Sequence, residues 1–293
     1  MKKQIVIIVS MAMLLVGCVK NHPSVECDPD TNVLFQFIYK GDGEENIISQ
    51  RIKKINFDLY DLDGELLQTI ETSSDSHALK LAIGEYNLLA WGNANAETKL
   101  RIGNQKQTRD NKVYLESGHE GGLGMDSLYH VPKREGGTRI SVTSNTDQKI
   151  EVLEFKPLHI QVILFIKGYS DPQGPLINIC NVPPICDCDG LFQGEGVTYS
   201  SLTHIESIIG SDYYVALFNL PRLPNENDIQ IKGFSRKDDS DLFSFSFAQF
   251  LKDEKLDITS RQEVTVPILI EFQSVGIEVG LPGWESESVN PDI

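Results

Sequence analysis

Residues 55–70 read INFDLYDLDGELLQTI. Ile55, Phe57 and Leu59 alternate with Asn56, Asp58 and Tyr60, the period of two that sends successive side chains to opposite faces of a strand. The alternation stops at Asp63-Gly64, a pair that tolerates the positive φ of a tight turn, and ELLQTI (65–70) follows it. The stretch therefore predicts a β-hairpin with one buried face. Asp58, Asp61 and Asp63 are expected to be solvated along the strand and its turn.

The same period recurs on both sides. VLFQFIY (33–39) places Val33, Phe35, Phe37 and Tyr39 on one face, and LAIGEYNLLAWGN (81–93) sets Tyr86, Leu88 and Ala90 against Asn87, Leu89 and Trp91. TRISVTS (138–144) and QKIEVLEF (148–155) read as further strands, whereas Asn93 to about Gly124 is polar and Gly-rich and reads as an insertion or long loop. A second set starts with LHIQVILFIKG (158–168), where Ile160, Val162, Leu164 and Ile166 share a face and His159 falls on the polar one, expected in solvent. YYVALFNL (213–220), DIQIKGFS (228–235), LFSFSFAQF (242–250), EVTVPILIEF (263–272) and VGIEVGLPGW (275–284) follow. Phe243, Phe245 and Phe247 alternate with serines, as on a strand with one wet face. Only SLTHIESIIG (201–210) suggests a short helix. Many short alternating strands separated by turn signals predict an all-β chain of two tandem β-sandwich domains, 32–156 and 157–293.

The chain opens differently. Lys2 and Lys3 precede an apolar run from Ile5 to Val16, too short for the ~20 residues that cross a bilayer. The run ends Leu15-Val16-Gly17-Cys18, which resembles the lipobox of bacterial lipoproteins rather than an Ala-x-Ala cleavage site. That resemblance implies a signal peptide over 1–17, cleavage before Cys18, and a diacylglycerol on the Cys18 sulfur. Two or more acyl chains anchor stably where one does not, at ~0.8 kcal/mol for each buried CH₂. Residues 18–31 are polar, hold two prolines and read as a tether. Removing Lys2 and Lys3 with the signal takes the net charge from −16 to −18. Such acidity argues against nucleic acid, whose phosphates need Lys and Arg clusters.

Chemistry-bearing patterns are few. GHEGGLG (118–124) lacks the Gly-Lys-Ser/Thr of a phosphate loop, the histidines are scattered, and no nucleophile elbow or H-E-x-x-H occurs. Asp61-x-Asp63-Gly64 and Asp187-x-Asp189-Gly190 resemble fragments of calcium loops but lack the closing Glu. Cys27, Cys180, Cys186 and Cys188 remain after Cys18 is lipidated. Cys186-Asp187-Cys188 has the wrong spacing for zinc, so a disulfide from Cys180 to Cys186 or Cys188, or free thiols, is expected. No cofactor and no metal site is expected.

Several motifs occur together in a fixed order: Tyr60-Asp61-Leu62-Asp63-Gly64, then Gly84-Glu85-Tyr86 running into Ala90-Trp91-Gly92, then Phe218-Asn219-Leu220-Pro221-Arg222-Leu223, and VGIEVGLPGW near the end of the sequence. With the lipobox, this order resembles the fimbrium anchoring subunits of fimbrillin-type (type V) pili. The resemblance implies two transthyretin-like β-sandwich domains and a lipoprotein of the cell outer membrane at the base of a fimbrium. It also implies pilin subunits as partners, docked by β-strand exchange, and control of fimbrial length. A shaft or tip fimbrillin is the nearest alternative. It would lose its first strand and its lipid to a trypsin-like protease, for which Arg51, Lys53 and Lys54 offer sites. A glycan-binding surface lipoprotein is the other.

Overall fold

The structure is a computed structural model that describes residues 31–94, 98–102, 113–117, 124–132, 139–187, 189–208 and 210–283. Cys18, Cys27, Cys188 and Trp284 lie outside the described residues, so the lipidation site and part of the expected disulfide do too.

The first half runs β1 (Val33–Ile38), α1 (Ile48–Arg51), β2 (Ile55–Tyr60), β3 (Leu66–Thr72), β4 (Ser76–Leu79), β5 (Gly84–Gly92), β6 (Thr98–Ile102), β7 (Val113–Ser117), β8 (Tyr129–His130), β9 (Arg139–Val142), β10 (Lys149–Glu154) and β11 (Lys156–Pro157). A three-stranded sheet, β10-β1-β4, faces a larger one ordered β11-β8-β5-β2-β3, with β9 beside β5. Phe35, Phe37, Phe57 and Phe155 meet between them, with Phe35 and Phe57 centroids 5.3 Å apart. This core is drawn only from residues 33–155. The hairpin forms as its alternation predicts: β2 pairs antiparallel with β3, Asp61 Oδ1 accepts from the Glu65 amide at 2.8 Å, and Gly64 turns at φ +82°. Tyr86 and Trp91 pack on opposite faces of β5, and the Tyr86 hydroxyl closes back on the Ala82 carbonyl at 2.9 Å.

The second half comprises β12 (His159–Lys167), β13 (Leu176–Val182), β14 (Ile185–Asp187), β15 (Phe192–Gln193), β16 (Val197–Leu202), β17 (His204–Ile208), β18 (Ser211–Pro221), β19 (Gln230–Phe234), β20 (Asp241–Ser246), α2 (Phe247–Asp253), β21 (Thr265–Gln273) and β22 (Gly276–Gly280). Sheets β17-β18-β12-β21-β22 and β16-β13-β19-β20 enclose a core drawn only from residues 160–270. Ile160, Val162, Leu164 and Ile166 all enter it, as their alternation requires. The chain is thus all-β with two sandwiches.

Four expectations are corrected. Residues 201–210 form no helix: they lie in β16 and β17, which pair with β13 and β18, and sheet pairing overrides the weak local signal. The span from Asn93 to Gly124 is not only a loop, because β6 and β7 pair there and β7 continues onto β14, joining the halves in the sheet β15-β14-β7-β6. The Phe243–Phe247 alternation stops at Ser246, whose hydroxyl accepts from the Gln249 amide and starts α2. Phe247, Phe250 and Leu251 then enter the core at helical spacing. Asp58 is not solvated: it is 1 % exposed, the Thr69 hydroxyl donates to it at 2.6 Å, and burial pushes its carboxyl above the usual range.

Gly168 follows β12 at φ +78°, and a Cβ there would stand 2.5 Å from the Phe272 carbonyl oxygen. Gly168→Ala is expected to cost about 1–3 kcal/mol, read as a lower midpoint in urea with an unchanged slope.

Candidate functional site

Three clusters stand out among the described residues. The first surrounds the basic segment 51–54. α1 ends at Arg51, Ile52 is buried, and Lys53 and Lys54 lead into β2. Asn93, at the end of β5, is 6 % exposed and adopts φ +57°, a conformation Asn tolerates better than most residues. Its side-chain oxygen accepts from the Lys53 amide at 2.8 Å and the Lys54 amide at 3.4 Å. Its NH₂ donates to the carbonyls of Arg51 at 2.8 Å and Ser127 at 3.1 Å. Its own amide donates to the Lys54 carbonyl at 2.8 Å. The peptide groups around Arg51, Lys53 and Lys54 are therefore held in the fold, whereas a protease needs an extended, detachable backbone. The strand that cleavage would release, β1, lies between β10 and β4 and sends Val33, Phe35 and Phe37 into the core.

The second cluster joins the halves. Tyr39 donates its hydroxyl to Glu263, and Asp42 accepts the Gln262 amide at 2.7 Å. Arg222, from the Pro221-Arg222-Leu223 motif, spreads its guanidinium over the carbonyls of Ile258 at 3.0 Å, Arg261 at 2.6 Å and Gln262. Its amide donates to the Leu158 carbonyl at 2.8 Å. Burial, then Glu263, pushes the Tyr39 hydroxyl well above its usual range, so it stays a donor. Tyr129 packs edge-on between Tyr39 and His159, at 4.9 and 5.1 Å. His159 is not in solvent as expected: its ring Nδ1 pairs with the Leu128 carbonyl at 3.0 Å, and burial holds its pKa down.

The third is the cysteine loop. Cys186 is fully buried with Trp91, Met125, Leu128 and Leu158. Cys180 lies half-buried in β13, and Cys188, one of its two expected partners, lies outside the described residues. Asp187 caps a turn rather than a calcium loop, accepting from the amides of Asp189 and Leu191, each at 2.9 Å. Gly190 presses on His130, where a Cβ would lie 2.5 Å from the ring. His130 stacks on Trp91 at 6.3 Å. Burial pushes its pKa down to about 4, against the pull of Asp189. Among the described residues no group of His, Cys, Asp and Glu can hold a metal. The motifs found in the sequence named Trp91 and Arg222 but gave no sign of Asn93, whose partners come together only in space.

Replacing Asn93 by Ala strands several buried peptide groups, so a stability loss of roughly 3 kcal/mol is expected. Trypsin should then cut at Arg51, Lys53 or Lys54 in the variant under conditions that leave the parent intact. A lowered His130 pKa means the unfolded chain binds the proton first. Stability present above pH ~6.5 should thus fall as pH drops toward ~4, by about 3 kcal/mol from this group. His130→Phe should flatten that slope in denaturant titrations.

No curated protein matches the chain. Among solved structures, a candidate adhesin from Bacteroides ovatus superimposes with a TM-score of 0.67 at 16 % identity, covering 87 % of this chain and 94 % of that one. The fimbrial anchor protein Mfa2 from Porphyromonas gingivalis superimposes at 0.58 and 12 % identity, covering 84 % and 94 %. At such identities these matches show the fold. The family profile described as fimbrillin-A associated anchor proteins Mfa1 and Mfa2 matches residues 23–290. With nearly the whole chain covered, this protein belongs to the family of fimbrillin-A associated anchor proteins.

Proposed function

We propose that this family member is a fimbrial anchor lipoprotein, cleaved before Cys18 and held in the outer membrane by acyl chains on that residue. Residues 18–31 are the tether, and 32–156 and 157–293 are the two sandwich domains. The anchor fastens a fimbrium to the cell and limits its length. It docks the next pilin by strand exchange, in which main-chain hydrogen bonds give affinity and alternate side-chain pockets give specificity. It is a structural protein, and no reaction is assigned to it.

The observation that carries the anchor reading over a shaft or tip subunit is the Asn93 clamp. A shaft subunit would be cut at Arg51, Lys53 or Lys54 and lose β1. Here the peptide groups of that segment are tied to Asn93, and β1 is central to its sheet. The position of the lipobox supports the same reading, because the family match begins at residue 23, just after Cys18. No helix among the described residues is long and apolar enough to cross a membrane. The outermost strands of the second half's larger sheet, β17 and β22, are short edges of the kind that accept an added strand.

The test is genetic. The gene is deleted in one strain and Cys18→Ala introduced in another, and fimbriae are examined by electron microscopy on cells and in the medium. Long fimbriae shed into the medium are expected in both strains. Fimbriae unchanged and still attached in both would overturn the anchor reading.

A further inference from the structure

The second sandwich has two sides where the edges of its sheets meet. On one side β16 passes into β17 through Thr203 alone, so the chain itself closes the gap between the sheets. On the other side β20 and β22 are outermost, and among the described residues β20 pairs only with β19 and β22 only with β21. Apolar groups line the gap between them. The Phe243 ring of β20 stands 6.3 Å from Phe272 of β21 and 6.3 Å from Phe245. Phe245, Phe272 and Val279 are half-buried against the core, and Ile277 is 38 % exposed. The groove also has a direction. β12 starts at His159, whose ring pairs with Leu128 of the first half, and β21 runs parallel to β12. The turn from β21 into β22 therefore stands at the end far from the first half. At the near end α2 closes the gap, because Glu254, its C-cap, holds a carboxylate oxygen 3.7 Å from where a Cβ on Gly280 would stand.

The outer face of the same edge carries a charge pattern. Lys167, Glu271 and Glu278 lie side by side across β12, β21 and β22. Lys167 Nζ is 3.1 Å from Glu271, whereas Glu278 accepts only the neutral Gln273 side chain, at 2.7 Å. Like charges directly opposite each other are destabilising, and a cation beyond Glu278 would relieve them. A strand added to β22 places one residue in line with Glu278, and the residues before and after it point inward with Ile277 and Val279.

We propose that a partner subunit docks at β22, inserting an extended segment in which a Lys or Arg opposite Glu278 stands between two apolar residues that fill the groove over Phe245 and Phe272. The proposal gives the strand-exchange step its edge and its partner's sequence pattern, and it rests on that reading. Free main-chain groups of β22 supply the affinity, and the Glu278 row with the aromatic groove supplies the register. The segment enters from the end far from the first half.

The test uses the full-length protein in cells. Ile277→Asp and Glu278→Lys are introduced singly and together, beside Glu278→Gln, Ile205→Asp on β17, and the deletion strain. Residues 205, 277 and 278 are exposed, so each variant should keep the circular dichroism spectrum of the parent. Fimbriae in the medium are measured against the deletion strain. The double variant should shed several-fold more than the parent while remaining in the membrane fraction, and Ile205→Asp should shed no more than the parent. Glu278→Lys should shed more than Glu278→Gln, since only reversal repels a basic residue. Equal shedding by those two would remove the basic residue from the proposal. Shedding by the deletion strain with full retention in the double variant would overturn the groove and leave the anchor reading standing. Shedding by Ile205→Asp alone would move docking to β17 and overturn it as well. Retention in the deletion strain would sink the anchor reading itself, and this proposal with it.

Discussion

A buried backbone group has to find a hydrogen-bond partner, and where strands stop the partner can no longer be another strand. At two such places this chain uses a single polar side chain. Asn93 serves the end of β5, the run from α1 into β2, and the loop before β8, using both atoms of its amide and its own backbone. Arg222 performs the matching task at the end of β18, gathering three carbonyls of the loop that leads into β21. The sandwiches themselves are ordinary apolar packing, but the course of the chain between them depends on these two residues. Each is also short of alternatives. A hydrophobic replacement leaves several peptide groups without these partners.

These clamps bear on function because a fimbrial protein is defined as much by what is kept as by what is exposed. Arg51, Lys53 and Lys54 look in the sequence like an invitation to a protease. In the fold, Ile52 is inserted in the core between them, and Asn93 ties down the flanking peptide groups. Identical residues on a detached loop would carry the opposite meaning. The hydrogen bonds from Tyr39 to Glu263 and from the Gln262 amide to Asp42, together with the sheet shared by β7 and β14, link the two halves.

How much of this could be read in advance follows from the range of each interaction. Alternation is local, so Ile160 to Ile166 and Val33 to Phe37 announced their buried faces, and Asp63-Gly64 announced its turn. The β16–β17 segment misled because Ile205 and Ile208 mimic helical spacing while the pairing partners that decide the matter stand on β18. Asp58 and His159 misled for a related reason: a polar residue on an exposed-looking face is dry only if something distant packs over it. The clamp at Asn93 was the least legible, since its partners stand up to 42 positions away and no spacing rule links them. The Cys186 loop was half legible: its prolines and glycine marked a turn, but the His130–Trp91 stack beneath it is a tertiary fact.

One topological detail decides how the first sandwich meets mechanical force. β1 and β10 run parallel, in register from Val33 with Lys149 to Ile38 with Glu154. The chain enters β1 at the Val33 end and leaves β10 toward the second half at the Glu154 end. A pull between the start of β1 and the second half therefore acts along the two strands from opposite ends. The hydrogen bonds between them are loaded together in shear instead of opening one after another like a zip. They rupture at higher force in that geometry, and a protein gripped at both ends gains strength from the direction of a strand, without any added contact.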